Sequence, residues 1–527
     1  MRVLLVNPPY QTLTSNFGVG HQVPLGLLMV GGPLLDAGHD VRLLDAECRR
    51  LKIRDIQRAV KELDPDVVMT GHAGSTPAHS ICIDMLRAVK DVGPRVITVY
   101  GGVYPTYHAE LVLKREPSVD VIVRGEGEAT SLELVQTIQA SRRGRQPGLC
   151  SSLDSVAGLG YRSGNRIVLT PERAPIRALD SYRTAWELID DWSRYGCFGL
   201  GRAAIVQFSR GCPHRCTYCG QHGFWVQWRH RDPVKLADEI EWLYRSHDVR
   251  FITLADENPT TSQELWRRFL AEVAARKLPV RFFATIRATD IVRDADFLAL
   301  YREAGILYVL MGVDSTDAAV LERVNKGSTT QHDLEACRLL KQHGIFSILG
   351  HLVGFEEETW ATMRAARSRL ARYEGDWLNA MYVTPHSWTP LGREEMQRAI
   401  EPDQRKWDYR HQVLGQKHLR PWQLFLCVKW TELWFHLRPR RLWAIARNSS
   451  QFQRRQLLWV LLHIGMVWLA EILEFVIDSI TRPKPDARGS GLAREAPALG
   501  PEDAAVGELI QITAAGKTPT LAARALD

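Results

Sequence analysis

The sequence predicts an α/β protein in which two α/β regions are followed by a helical C-terminal region. Short runs of valine, isoleucine and leucine alternate with amphipathic segments, and this alternation occurs twice, before and after a proline-containing linker. Strands buried on both faces of a parallel sheet have this composition, and the amphipathic segments are the helices that cover them. The chain has 527 residues, which is enough for two or three domains.

The first region, residues 1–145, is predicted to form a flavodoxin-like, doubly wound parallel sheet. Five apolar runs are its expected strands: Val3–Val6, Val41–Leu44, Val67–Thr70, Val96–Val99 and Val121–Val123. Ligands of such sheets bind at the carboxyl ends of the strands, where this sequence has polar and glycine-rich loops. The candidate ligand-binding residues in these loops are Asn7, Ser75, Thr76, Gly101, Gly102, Tyr104 and Glu126.

Residues 146–200 are predicted to form a β-hairpin and a linker, and residues 201–400 form the second alternating series. Six apolar runs are its expected strands: Ala204–Phe208, Phe251–Leu254, Phe282–Thr285, Tyr308–Met311, Phe346–Val353 and Leu378–Val383. Six strands alternating with helices predict an open, partial (β/α)6 barrel rather than a closed barrel of eight strands.

The remainder of the chain differs in composition. Residues 401–481 are predicted to be helical, whereas residues 482–527 are rich in alanine, proline and glycine and are predicted to be disordered. The apolar stretch Leu457–Ile480 contains four polar or charged residues, His463, Glu471, Glu474 and Asp478, which argue against a membrane-spanning helix. Nine cysteines in so long a chain are not a disulfide framework, and the N-terminal apolar run is too short for a signal peptide. We therefore expect a cytoplasmic protein.

Three cysteines, Cys212, Cys216 and Cys219, lie on a loop containing glycine and proline after the first strand of the second series. Thiolates are ligands of iron–sulfur clusters and of zinc. A structural zinc site has four ligands, and no fourth cysteine follows, although His214 and His222 lie in or near the loop. A [4Fe–4S] cluster held by three cysteines has one iron that is free to bind a small molecule. Both metals remain open on these residues alone.

The C-x3-C-x2-C motif at the first strand end of a partial barrel resembles the radical S-adenosylmethionine (SAM) superfamily. The resemblance implies that the fourth iron binds the amino and carboxylate groups of SAM, which one-electron reduction cleaves to a 5′-deoxyadenosyl radical. It also implies contacts to SAM from residues at the superfamily's aromatic, amino-group, ribose and adenine positions: Tyr218, Asp256, Glu257, Asp314 and Gly354. At the ribose position this chain has aspartate in place of the usual glutamate, and Glu356 replaces the usual proline of the adenine segment.

A flavodoxin-like sheet that precedes such a barrel resembles the cobalamin-binding subclass of the superfamily. The resemblance implies cobalamin in the first domain, with the backbone of Gly101 and Gly102 near the corrin ring and Ser75 and Thr76 bonded to the nucleotide tail. The motif Asp-x-His-x-x-Gly, which supplies a cobalt ligand in other cobalamin proteins, is absent from residues 1–145. We therefore expect no protein histidine on the cobalt.

The run from Arg229 to Thr260 and the later segment ATIRATDIVRD resemble the anaerobic magnesium-protoporphyrin IX monomethyl ester oxidative cyclases. This resemblance implies formation of the fifth ring of a magnesium porphyrin ester in bacteriochlorophyll biosynthesis, with oxygen from water. It also implies an external electron donor of the flavodoxin or ferredoxin type. Sister enzymes methylate unactivated carbons, so a cobalamin-dependent C-methyltransferase acting on a tetrapyrrole or a lipid is the second hypothesis. A non-catalytic corrinoid- or porphyrin-binding protein is the third.

Residues 403–456 form a basic block with 12 lysines and arginines against 3 acidic residues. The block also contains five tryptophans: Trp407, Trp422, Trp430, Trp434 and Trp443. Three interpretations stay open: a lid whose indoles stack on a porphyrin, a peripheral contact of residues 438–480 with anionic lipid at the inner face of the membrane, or a helical cap with core tryptophans and solvated arginines. We expect no nucleic-acid partner, because the additional cysteine cluster of the tRNA-methylthiolating radical SAM enzymes is absent.

Overall fold

The computed structural model describes residues 1–17, 19–143, 152–221, 223–225, 227–448 and 450–481. His222 and the predicted disordered tail, residues 482–527, lie outside the described residues. The chain divides into two compact units, Met1–Ile472 and Leu473–Asp527. All three sheets of the described residues belong to the first unit.

The first part of the chain alternates strands and helices as the sequence predicts. Its strands are β1 (Arg2–Asn7), β2 (Gly20–His21), β3 (Asp40–Asp45), β4 (Val67–Thr70), β5 (Ile97–Gly101), β6 (Val121–Val123), β7 (Leu159–Ser163) and β8 (Arg166–Leu169). Its helices are α1 (Leu13–Asn16), α2 (Leu25–Asp36), α3 (Ile53–Leu63), α4 (Thr76–Val92), α5 (Val103–Tyr107), α6 (Ala109–Arg115) and α7 (Gly127–Arg142).

The first sheet has the strand order β3-β1-β4-β5-β6-β7-β8. Its first five strands are parallel and follow the flavodoxin order, so the predicted doubly wound sheet is confirmed. The predicted hairpin is β7–β8, and it pairs antiparallel with β6. The hairpin is therefore an extension of this sheet.

Strand β1 shows why the sheet could be predicted. Leu4 and Val6 pack into one core cluster, whereas Val3 and Leu5 pack into the cluster on the other face. All four side chains are buried. A strand with a core on each side needs apolar residues at every position, and it therefore appears in the sequence as a continuous apolar run.

The second part of the chain contains the barrel and the C-terminal helices. Its strands are β9 (Gly196–Cys197), β10 (Arg202–Val206), β11 (Ser209–Arg210), β12 (Arg229–His230), β13 (Val249–Leu254), β14 (Arg281–Thr285), β15 (Ile306–Asp314), β16 (Phe346–Val353) and β17 (Trp377–Tyr382). The barrel helices are α8 (Pro233–His247), α9 (Gln263–Ala275), α10 (Ala288–Arg293), α11 (Leu298–Glu303), α12 (Ala318–Arg323), α13 (Thr330–Gln342), α14 (Trp360–Tyr373) and α15 (Pro390–Glu395). The C-terminal helices are α16 (Pro421–Leu437), α17 (Pro439–Ala446) and α18 (Gln451–Thr481).

Six parallel strands, in the order β17-β16-β15-β14-β13-β10, form the partial barrel. The predicted open (β/α)6 barrel is therefore confirmed. Strands β9 and β2 extend its β10 edge with antiparallel pairing. Because β2 comes from the first part of the chain, this pairing ties the first domain to the edge of the barrel.

Helix α18 begins on the inner face of the partial barrel. Ala203, Phe251 and Tyr308 share one core cluster with Leu457 of α18, whereas their strand neighbours pack in the cluster that contains the barrel helices. The Tyr308 hydroxyl also donates to the Gln456 side-chain oxygen at 3.0 Å. These strand residues lie near the amino ends of their strands, so α18 leaves the carboxyl ends free for chemistry.

The exposure of the tryptophans in the basic block argues against the interpretation of this block as a helical cap with core tryptophans. Trp407 is buried, but Trp422, Trp430, Trp434 and Trp443 are each more than 40% exposed. The prediction of core tryptophans is therefore wrong for four of the five. Helices α16 and α17 are apolar on their outer side as well as on the side that packs against the protein.

Two glycines of helix α2 have different surroundings and test how closely the linker packs on the first domain. A methyl group at Gly26 would meet no atom within 4 Å, whereas one at Gly32 would overlap the carbonyl oxygen of Arg183. We expect Gly32→Ala to lower the free energy of unfolding by about 1–3 kcal/mol, because overpacking forces the backbone apart. Gly26→Ala should leave it unchanged or raise it by up to about 1 kcal/mol, because alanine favours helices. Thermal denaturation measures both, and equal midpoints would contradict the packing described here.

Candidate active site

Asp256 fixes the start of the loop that carries Cys212, Cys216 and Cys219, which we call the cysteine loop. This carboxylate, at the carboxyl end of β13, accepts hydrogen bonds from the backbone N–H of Phe208 at 3.0 Å, from the backbone N–H of Ser209, and from the Ser209 hydroxyl at 2.6 Å. Burial raises the pKa of Asp256 to about 7. Both oxygens are engaged, so Asp256 fixes the chain three residues before the first cysteine.

The three cysteines lie close together and partly out of solvent. Cys216 is buried, and Cys212 and Cys219 are half-buried. Burial, together with the neighbouring Cys216 and Cys212, raises the pKa of Cys219 to about 11.

The donor set bears on the two metals that the sequence left open. Three cysteines on one short loop suit a [4Fe–4S] cluster, in which each thiolate binds a different iron and the fourth iron stays open. A structural zinc site has four ligands.

Tyr218, Asp314 and Lys326 form a buried group behind the cysteine loop. The Tyr218 hydroxyl donates to the Asp314 carboxylate, and the Lys326 ammonium lies 2.6 Å from the same carboxylate. Asp314 has φ +53°, in the left-handed region. Burial and the neighbouring Asp314 raise the pKa of Tyr218. The sequence predicted Tyr218 and Asp314 but missed Lys326, which belongs to no recognised motif.

Arg287 is a second cation that the sequence did not indicate. Its Nη1 lies 4.0 Å from the Cys216 sulfur, and its other terminal nitrogen donates to the carbonyl of Lys326. Its Nε is buried without a hydrogen-bond partner among the described residues. Arg287 therefore brings positive charge to the side of the thiol site and keeps a donor for a ligand.

Glu257 and Gly354 stand at two other strand ends. Glu257 accepts a hydrogen bond from the backbone N–H of Gly211 at 3.1 Å, and burial raises its pKa. Its charge acts on the pKa values of Cys212 and Cys219, so it lies beside the cysteine loop. Gly354, after β16, has φ +101°, a conformation that favours glycine.

Some of the predicted ligand-binding residues of the first domain are hydrogen-bonded within the protein, whereas others have polar groups left for a ligand. The Asn7 amide donates to Asp45 at 2.8 Å and to Glu47 at 3.2 Å, so Asn7 is bound within its own strand end. Ser75 has φ +55°, and its buried hydroxyl has no hydrogen-bond partner among the described residues. Because buried polar groups nearly always have partners, the Ser75 hydroxyl is suited to a ligand.

The loop after β5 contains the glycine pair and Tyr104. Gly101 ends the strand, and Gly102 has φ +109° with no atom closer than 4.0 Å to the position of a Cβ. The loop can therefore take a flat ligand against its backbone. The Tyr104 ring is buried between His79 and His108, with ring centroids 4.1 and 4.4 Å away.

Glu126 is part of a buried ion network between the two domains. It lies 3.2 Å from Arg210 and 2.5 Å from Arg229, and Arg210 also lies 2.5 Å from Glu128. Each of these four side chains is at most 8% exposed. Because Arg210 comes two residues before Cys212, the network joins the first domain directly to the cysteine loop.

A second connection between the domains was not expected from the sequence. The two ring nitrogens of His386 form two hydrogen bonds. Nδ1 lies 3.0 Å from the Thr76 hydroxyl, and Nε2 lies 2.7 Å from the Tyr409 hydroxyl. The Trp388 indole stacks on His386 and donates to the carbonyl of Gly220 at 2.8 Å. Burial lowers the pKa of His386 to about 4, so it is neutral. Thr76 is therefore linked to the residue that follows Cys219.

The polar groups left without partners fit the expected cofactors. In the cysteine loop, the hydroxyl of Thr217 and the side-chain oxygen of Gln221 are buried and unpaired among the described residues, as is the Ser75 hydroxyl across the domain boundary. The strand ends thus offer three thiols, cations and unpaired polar groups on one side and a glycine loop on the other. The individual SAM and cobalamin contacts assigned to these residues stay predictions.

Two family profiles match this chain. The profile of the Radical SAM superfamily matches residues 206–370, and the profile of the B12 binding domain matches residues 18–135. The cofactors are therefore a [4Fe–4S] cluster, SAM and cobalamin.

Three relatives show the range of named activities. The chain is 43% identical, over 90% of its length and 93% of the relative, to the anaerobic magnesium-protoporphyrin IX monomethyl ester cyclase of Synechocystis sp.. It is 32% identical to the cyclase of Cereibacter sphaeroides, over 87% of this chain and 74% of the relative. It is 25% identical to the hopanoid C-3 methylase of Methylococcus capsulatus, over 85% of this chain and 82% of the relative.

Solved structures share the fold. The cobalamin-dependent SAM radical enzyme OxsB with aqua-cobalamin bound has a TM-score of 0.63 at 15% identity, covering 92% of this chain and 74% of OxsB. The methyltransferase TsrM of Kitasatospora setae, with cobalamin and a [4Fe–4S] cluster bound, has a TM-score of 0.61 at 18% identity, covering 75% of this chain and 74% of TsrM. The fold of this chain therefore also occurs in these two solved structures.

We expect each of Cys212→Ala, Cys216→Ala and Cys219→Ala to abolish the cluster, because two thiolates cannot replace the three that hold it. Anaerobic reconstitution followed by iron and sulfide analysis and visible absorption measures the loss. Cys48→Ala is the matched control, since Cys48 is half-buried but belongs to another loop. A full [4Fe–4S] spectrum in Cys212→Ala would refute the assignment.

We expect Arg210→Met to destabilise the protein by about 3–5 kcal/mol, because it leaves buried carboxylates without their cation. The double variant Arg210→Met/Glu128→Gln should recover part of this loss. Arg250→Met is the control, since the Arg250–Asp248 pair is exposed and should contribute less than about 1 kcal/mol. Thermal denaturation and limited proteolysis between the domains measure the effect, and equal behaviour of Arg210→Met and Arg250→Met would contradict the role of the network.

Proposed function

This chain belongs to the cobalamin-binding radical SAM family, and from this membership we propose that it is an oxidative cyclase of magnesium-protoporphyrin IX monomethyl ester. The reaction forms the fifth ring of the porphyrin with oxygen from water, in anaerobic bacteriochlorophyll biosynthesis. One observation carries the proposal: 43% identity over 90% of the chain to a protein named as this cyclase. An alignment over 90% of the chain includes most of both domains.

When bound, the cluster and SAM supply hydrogen-atom abstraction, and cobalamin supplies a second redox centre. We assign the three cysteines to holding the cluster. We assign Arg287 and Lys326 to binding anionic groups beside it, since Arg287 lies 4.0 Å from the Cys216 sulfur and donates to the carbonyl of Lys326. Abstraction requires an electron from outside the chain, for which we propose a flavodoxin- or ferredoxin-type donor.

A C-methyltransferase is the second candidate, and it is favoured by the 25% identity to the hopanoid C-3 methylase. The two activities differ in their products. A methyltransferase adds one methyl group to its substrate, whereas the cyclase adds oxygen and removes hydrogen.

We expect the anaerobically reconstituted enzyme, supplied with SAM, cobalamin, a chemical reductant and the porphyrin ester in ¹⁸O-labelled water, to form a cyclic ketone that contains ¹⁸O. Mass spectrometry detects the label, and Cys212→Ala is the inactive control. A product that has gained one methyl group would favour the methyltransferase. SAM cleavage without any change in the porphyrin would contradict both the reaction and the substrate proposed here.

A further inference from the structure

The outer side of the C-terminal helices carries a concentration of exposed apolar side chains. Residues 421–472 contain eleven large apolar side chains that are exposed, whereas the described residues before them contain six. The eleven are Trp422, Leu426, Trp430, Trp434, Leu437, Leu442, Trp443, Phe452, Leu458, Leu462 and Leu469. We call this set the C-terminal face. Patches of this kind on a folded protein mark interaction surfaces.

Helix α16 contributes a continuous stripe to the C-terminal face. Trp422, Leu426, Trp430 and Trp434 are four residues apart, so they lie on one side of the helix. Each is between 44 and 51% exposed. The opposite side of the same helix is buried against the protein. The exposed stripe therefore does not contribute to the packing of α16 against the protein.

Helix α18 contributes a second stripe and is fixed to the domain. Leu458, Leu462 and Leu469 are each more than 50% exposed, whereas Leu457 and Val460 are buried. Further along the helix, Glu471 lies 2.5 Å from Lys429 of α16 and 3.3 Å from Arg410. The Trp468 indole donates to the Lys429 carbonyl at 3.3 Å. Helices α16 and α18 thus lie side by side.

The same helix is the candidate for crossing a membrane. Among the described residues, only Gln451–Ile480 is long and apolar enough to do so by length and composition, and 6% of its most apolar window is buried. The ion pairs of Glu471 and the buried start of the helix at Leu457 hold residues 451–472 on the protein. A position along the surface of a membrane satisfies both its exposed leucines and these contacts.

The exposed charge of α17 and of the first turns of α18 is positive. Between Glu432 and Glu471 the sequence contains six arginines and no acidic residue. The Arg447 guanidinium lies over the Trp443 ring, 4.0 Å from its centroid. The exposed arginines are Arg440, Arg447, Arg454 and Arg455. Exposed indoles next to arginines are typical of surfaces that contact lipid headgroups.

We propose that the C-terminal face docks on a lipid bilayer with anionic headgroups and that the protein binds this surface without spanning it. The apolar stripes enter the boundary of the acyl chains, and the arginines pair with the headgroups. A second copy of this chain is disfavoured as the occupant, because a two-fold interface would bring two sets of arginines together without acidic partners. A porphyrin is disfavoured because the exposed residues are spread over three helices.

Sedimentation with vesicles of phosphatidylcholine alone, or mixed with phosphatidylglycerol, tests the proposal with the full-length reconstituted protein. We expect tighter binding to the anionic vesicles. Arg454→Gln/Arg455→Gln should weaken binding to anionic vesicles by about 25-fold, since each basic residue near the surface contributes a factor of roughly five. Trp443→Gln/Leu462→Gln should weaken binding to both vesicle types by roughly tenfold or more.

Control substitutions elsewhere on the protein distinguish binding through the C-terminal face from nonspecific adsorption to vesicles. Trp242→Gln removes an indole that is exposed elsewhere, on α8, and Arg166→Gln/Arg177→Gln removes two arginines that are exposed in the first part of the chain. Neither should change vesicle binding, and all variants should retain the cluster spectrum. Equal binding of the test and control variants would overturn the proposal. So would an altered oligomeric state of Trp443→Gln/Leu462→Gln in analytical ultracentrifugation without a change in vesicle binding, because it would assign the face to a second copy.

Discussion

The arrangement of this protein depends on four buried charges that join its two domains. Glu126 and Glu128 come from the strand end of the first sheet, and Arg210 and Arg229 come from the barrel. Burying charges is costly, and the cost is offset only when each charge meets its partner with good geometry. The network therefore permits one docking of the first domain and penalises others. Since Arg210 precedes the cysteine loop, the same docking sets where cobalamin lies relative to the cluster.

The cysteine loop is held from several sides by different elements. Asp256 binds its beginning, the Tyr218–Asp314–Lys326 group lies behind it, and Trp388 binds the carbonyl after its last cysteine. A loop with glycine and proline has little structure of its own, so these contacts supply its order. Hydrogen-atom abstraction requires reacting atoms in fixed positions, and this chain meets the requirement with buried side chains that surround the loop.

The sequence was sufficient for the two sheets because buried parallel strands are apolar at every position, as in β1. The three cysteines could also be predicted to form one site, because they lie within eight residues of each other in the sequence. The partner of Glu126 could not be predicted, because Arg210 is 84 residues away in the chain and only the fold brings the two together. His386, Tyr409 and Lys326 were missed for the same reason, since only the fold brings them to the site. In α16 both sides are apolar, so composition could not tell which tryptophans are buried.

We propose that the first domain and the barrel hold cobalamin and the cluster at one shared site. Electron paramagnetic resonance of the full-length holoenzyme, with cob(II)alamin present and the cluster reduced, tests this arrangement. We expect the cob(II)alamin signal to be split or broadened by magnetic coupling to the reduced cluster. Two independent signals, each identical to that of the enzyme containing only one of the paramagnetic centres, would contradict it.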